Sequence, residues 1–147
     1  MADYKNILVA VDFSDAVDTV IKKAVDVAQR NHAQMHLFHV VEYLPPMDIG
    51  YEPVITTNWA VDSEVLVKHA TDSLQKLCDK HHLSDVKPVV VVGTAKYEIC
   101  NYAREKGCDL IIMGAHGRHG IRLLLGSTAN GVLHEMPCDV MALKIQE

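Results

Sequence analysis

Five short apolar runs, each the length of a single strand, alternate along this chain with segments whose apolar residues recur at three- and four-residue intervals. Ile7 to Val11 is β-branched and apolar; after it Val17, Val20, Ile21, Ala24, Val25 and Ala28 keep helical spacing, with Ser14 as the expected cap. Met35 to Val41 is the second run, and Val65, Leu66, Ala70, Leu74, Leu77 and Cys78 mark a long second helix. Val86 to Val92 is the third. Thr94 is placed to cap a third helix with an inner face of Ile99, Cys100 and Ala103, and Gly107 ends it before the Leu110 to Met113 run. Val132 and Leu133 continue a last helix to Met136, and Cys138 to Leu143 is the fifth run. Runs this apolar must be buried on both faces, and consecutive parallel strands need a helical crossover. The expected fold is therefore α/β: a single doubly wound five-stranded parallel sheet with helices on both faces. One domain spans residues 1–147.

In such a sheet ligands sit at the carboxyl ends of the strands, at the point where strand order reverses. Asp12 follows the first strand and Gly114 the fourth, so the two face one crevice if those strands are neighbours. The stretch after the fourth strand, GAHGRHGIRLLLGSTANGVLHEMP, is glycine-rich and leads into a helix start. Gly114, Gly117, Gly120 and Gly126 let main chain approach a ligand closely, and Ser127 and Thr128 put amides and hydroxyls at the helix N-terminus. That arrangement suits the phosphates of a nucleotide.

Charge restricts the other possibilities. The net charge is −5, and no basic stripe interleaved with aromatics occurs, which excludes an electrostatic nucleic-acid binder. The longest apolar runs fall well short of the roughly 18 residues that suggest a membrane span. Residues 1–12 show no basic region followed by a long apolar stretch, and the four cysteines form no C-x-x-C pair. A reducing, cytoplasmic setting is the expectation.

The chain resembles the universal stress protein family over its whole length. The resemblance is carried by KNILVAVDFS at the start, Phe38-His39-Val40-Val41, the run from Cys108 to Gly114, the GAHGRHG loop, LLLGSTANGVL and the closing Pro137-Cys138-Asp139-Val140. It implies a sheet of order 3-2-1-4-5, a cytoplasmic homodimer and, in the nucleotide-binding branch of the family, ATP in the crevice between strands one and four. That branch carries G-x-x-G, nine residues, then G-S or G-T. This chain supplies Gly114, Gly117, Gly126 and Ser127 with eight residues between Gly117 and Gly126.

The resemblance assigns a role to each matching position. Asp12 would accept a ribose hydroxyl or assist a Mg²⁺ bound with ATP; its plainer reading is a turn residue ahead of the first helix. Ala10 and the main chain of Val40 would line the adenine slot, while also serving as core. Met113, Gly114, Gly117, Gly126, Ser127 and Thr128 would wrap ribose and phosphates. His116 and Arg118 lie in the loop itself, and Arg118 is either a bidentate phosphate contact or a solvated surface arginine. His116 and His119 have no third ligand at suitable spacing, so no protein metal site is expected.

No G-x-x-x-x-G-K-[ST] lysine and no nucleophile paired with a general base is present. The expectation is a regulatory ATP-binding stress-response protein, without catalytic residues and with at most slow ATP hydrolysis, in which occupancy sets conformation or partner choice. The alternative is a dimeric relative that binds no ATP and acts through protein contacts alone. Tyr43 to Asn58, with three prolines and no regular period, reads as a long loop, either a lid or interaction surface or a plain connection. Val140 to Ile145 is a candidate edge strand, and pairing with the same strand of a second copy would cover it.

Overall fold

The structure is a computed structural model, and it describes residues 3–42, 59–115 and 126–144. Five strands, β1 (Asn6–Ala10), β2 (Gln34–Val41), β3 (Pro88–Val92), β4 (Leu110–Gly114) and β5 (Asp139–Leu143), form one sheet. Every neighbouring pair is parallel, and the order is β3-β2-β1-β4-β5. The reversal point lies between β1 and β4, where Ala10 is in register with Met113. The first and fourth strands are neighbours, as the crevice requires.

Four helices, α1 (Val17–Asn31), α2 (Trp59–Lys80), α3 (Ala95–Lys106) and α4 (Ser127–Glu135), cover the sheet. Strand alternation divides the core in two. Ile7, Val9, Met35, Leu37, Leu110 and Ile112 point to the face packed by Ile21 and Ala24 of α1 and Leu74 and Cys78 of α2. Leu8, Ala10, Phe38, Val40, Ile111 and Met113 point to the other face, against Ile99, Cys100 and Ala103 of α3 and Ala129 and Val132 of α4. Each fully buried branched side chain contributes roughly 1.5–3 kcal/mol. β1 from Ile7 onward and β4 are apolar on both faces because both faces are covered; β2 adds one histidine to each face, His36 and His39.

Several boundaries differ from the sequence expectation for local reasons. Ser14 is not the cap of α1: the cap position is Ala16, with no side-chain hydrogen bond. The Ser14 amide donates instead to Asp12 Oδ1 at 3.0 Å, and its carbonyl accepts from Val17 N–H at 3.0 Å, so a turn intervenes before the helix. Thr94 does occupy the cap position of α3, but its hydroxyl caps nothing. Glu42 Oε1 reaches across from the end of β2 and accepts the Ala95 N–H at 2.8 Å. Val65 and Leu66 are exposed, 48% and 42%, because the buried stripe of α2 begins only at Ala70. β3 starts at Pro88 rather than Val86, whose N–H closes a turn onto Leu83. Met136 is the left-handed cap after α4, and Cys138 precedes β5. β5 is an edge strand; Ile145 and the Tyr43 to Asn58 segment lie outside the described residues.

Gly107 ends α3 with φ 64°, and its N–H and that of Cys108 return to carbonyls of the last turn. The four cysteines are free thiols, and burial pushes those of Cys108 and Cys138 up to about 11. Among the described residues no helix is long and apolar enough to cross a membrane.

Candidate functional site

A cavity of about 530 Å³ opens at the carboxyl edge of the sheet. Its wall includes Ala10, Asp12, Val40, Met113, Gly114, Gly126, Ser127 and Thr128. The structure thus brings together eight of the positions singled out in sequence. His116, Gly117 and Arg118, with His119 and Arg122, lie outside the described residues.

The β1 side of the cavity follows from where that strand stops. In a parallel ladder both polar groups of a residue turn to the same neighbour, and alternate residues turn to alternate neighbours. Phe38 C=O accepts Val11 N–H at 2.9 Å, toward β1, while Val41 C=O accepts Gly93 N–H at 3.0 Å, toward β3. Val40 therefore turns its N–H and C=O toward β1, beyond the point where β1 has ended at Ala10. Those two groups are a donor and an acceptor at the edge of a slot walled by Ala10, Phe38, Ala95, Ile99, Met113 and Ala129. A flat heterocycle with an adjacent donor and acceptor matches such an edge.

The opposite side is built by α4. Gly126 sits at its cap with φ −60° and ψ 152°, and as a glycine it supplies no capping side chain. Its own N–H is engaged by Ala115 C=O at 2.7 Å, which joins the two ends of the glycine-rich loop. The first intrahelical bond is Asn130 N–H to Gly126 C=O at 2.9 Å. The amides of Ser127, Thr128 and Ala129 precede it and have no intrahelical acceptor, and all three residues line the cavity. Aligned amides at a helix N-terminus carry partial positive charge and accept an anion. Gly126 contributes its conformation, not its N–H.

Asp12 lies between these two sides, exposed at the end of β1. One carboxylate oxygen is engaged by Ser14, so the plainer reading as a turn residue holds; Asp12 also lines the cavity. Among the described wall residues the acidic groups are Asp12 and Glu42, and Glu42 is already tied to α3.

The sequence profile of the universal stress protein family matches residues 3–144. The chain belongs to that family. This universal stress protein is 39% identical to universal stress protein A homolog 2 of Coxiella burnetii, with 99% of each chain covered. Its structure is similar to that of universal stress protein UspA from Lactobacillus plantarum, with a TM-score of 0.77, 32% identity and coverage of 97% and 99% of the two chains. A more distant structure, a universal stress protein from Archaeoglobus fulgidus in complex with dAMP, shares the fold at a TM-score of 0.58 and 20% identity, with 98% of this chain and 100% of that one covered.

Sequence reasoning missed part of the wall of this universal stress protein: Phe13, His39, Glu42, Leu66, His69 and Ser73. Phe13 and His39 were legible only as members of strand-end motifs. Glu42 carried a weak signal, a carboxylate immediately beyond an apolar strand. His69 and Ser73 sit on α2, and nothing in helical spacing reveals that this part of the helix overhangs the strand ends.

Proposed function

We propose that this chain binds an adenine nucleotide, ATP with Mg²⁺, at the carboxyl edge of its sheet, and that occupancy sets its conformation or its choice of partner. The observation that carries the reading is the convergence on one cavity of the first-turn amides of α4, which have no intrahelical acceptor, the outward-turned main chain of Val40 and Asp12. Ala10, Val40 and Met113 would hold the base, Asp12 the ribose or the cation, and Gly114, Ser127 and Thr128 the phosphates. Gly126 would shape the approach, and His116, Gly117 and Arg118 of the loop would complete it. The fold-level likeness to a dAMP complex is consistent with a nucleotide ligand. Magnesium would supply charge neutralisation to the phosphates, and Asp12 is the carboxylate placed to assist it.

In this reading the site is regulatory, with at most slow ATP hydrolysis. A homodimer through the β5 edge, in the cytoplasm, completes the reading. Calorimetric titration of the folded protein with ATP and Mg²⁺ tests it: saturable heat supports the site, and a flat titration to millimolar nucleotide overturns it. The eight-residue spacing between Gly117 and Gly126 favours the second reading in that event, a dimer acting through protein contacts alone.

A further inference from the structure

We propose that His39 is the positioning residue of this site: from β2 it holds the main-chain carbonyl before Asp12 and the aromatic ring after it, and so aims the carboxylate at the ribose hydroxyls. The inference rests on the nucleotide reading and adds to it a residue that touches the ligand only through another.

β1 ends at Ala10, and Val11 keeps one ladder bond, its N–H to Phe38 C=O at 2.9 Å. Its carbonyl has a different partner: the His39 imidazole lies 2.6 Å away through Nδ1. A carbonyl can only accept, so Nδ1 carries the proton and donates it. That bond fixes the residue before Asp12. The residue after it, Phe13, has φ 59°, a left-handed conformation that an aromatic residue rarely adopts. The Phe13 ring is tilted 46° against the same imidazole, with centroids 4.4 Å apart. Asp12 then closes the turn on itself by accepting the Ser14 N–H at 3.0 Å. His39, Phe13 and Asp12 all line the cavity.

One side chain thus meets the backbone before the carboxylate and the ring after it. Without His39 the Val11 carbonyl would lose its 2.6 Å imidazole partner, and Phe13 would lose the ring that packs against its left-handed conformation. The Asp12 carboxylate would then be distributed over several directions rather than held in one. A held acceptor binds a ribose hydroxyl more tightly because its ordering precedes binding.

The test is a pair of calorimetric titrations of the full chain, with ATP and with 2′-deoxy-ATP, accompanied by hydrogen exchange at the Ser14 amide. In the native protein ATP is expected to bind roughly tenfold more tightly than its deoxy analogue, the scale of one charged hydrogen bond. In His39→Leu the ratio falls toward one and Ser14 exchanges faster; in His39→Gln, whose amide N–H can still donate to Val11, part of the ratio returns. Phe13→Ala removes the ring contact and leaves β2 intact, and it lowers the ratio even if His39→Leu fails to fold. An unchanged ratio in these variants, a ratio that falls while Ser14 exchange stays constant, or a native protein indifferent to the 2′-hydroxyl each overturns the proposal. A native protein that binds neither nucleotide overturns the nucleotide reading, and Ser14 exchange alone then decides whether His39 holds the turn.

Discussion

The two ends of the sheet use their polar groups in opposite ways. At the amino end they are joined to one another. Asp109 accepts the Lys5 and Asn6 amides at 2.8 and 3.0 Å, Asn6 Nδ2 donates to Lys106 C=O at 2.7 Å, and Tyr4 Oη donates to Asp139 at 2.8 Å. His36 lies between Asn6 Oδ1 and Tyr102 Oη at 2.6 and 3.1 Å. At the carboxyl end Val40, the first residues of α4 and Asp12 line a cavity. An end whose polar groups are satisfied by the chain itself offers nothing to a ligand. An end that leaves aligned amides beyond its last ladder bond needs another molecule, or water, to satisfy them.

The largest effect expected at the amino end is on stability alone. Asp109→Ala removes the acceptor of two amides and should cost about 2 kcal/mol, with nucleotide affinity unchanged, because hydrogen bonds to a charged group are the stronger kind. Denaturant unfolding and calorimetry on the same preparation check it; a loss of affinity without loss of stability would break the division between the two ends. Ser127→Pro is the mirror experiment. Ser127 is the first residue of α4, a position where proline is tolerated, and Gly126 at φ −60° and ψ 152° already has the extended conformation that a following proline demands. The substitution deletes one amide donor and leaves the helix in place. Affinity for ATP should fall roughly tenfold, with the unfolding midpoint nearly unchanged. Equal affinity in the variant would show that the α4 amides do not meet the phosphates.

This asymmetry also marks what the sequence disclosed. The five apolar runs and their helical intervals lead directly to the doubly wound sheet, since residues such as Leu8, Val9 and Ile111 can be buried on both faces in few other ways. The resemblance added the strand order. The positions of Ala10, Asp12, Val40, Gly126 and Ser127 around one cavity follow from that order. What stayed hidden depends on side chains crossing between elements that are far apart in sequence. Glu42 capping α3, where Thr94 was the local candidate, is one case; His39 reaching back to Val11 is another. Local rules rank Thr and Ser as caps because they see only the neighbouring residues. They cannot register a carboxylate delivered by another strand.

The smallest predicted effect is a pH dependence that belongs to the amino end. Asn6 Nδ2 is committed to the Lys106 carbonyl, so Asn6 Oδ1 faces His36 and the imidazole donates from Nε2; Nδ1 accepts the Tyr102 hydroxyl. Burial, with a smaller contribution from the Lys106 charge, holds the His36 pKa below its ordinary value. The unfolded chain therefore takes up a proton at His36 as pH falls through about 6.5, while the folded chain still resists it. The unfolded state binds more protons in that window, so this contribution to stability is present above it and is lost on acidification toward the folded pKa. Denaturant midpoints measured from pH 7.5 to 5.5 should decline more steeply for the native protein than for His36→Gln, which cannot titrate. Equal slopes would show that the ring binds protons alike in the folded and unfolded chain, and an imidazole resonance titrating above the ordinary histidine range would show that the amino-end network binds the charged ring.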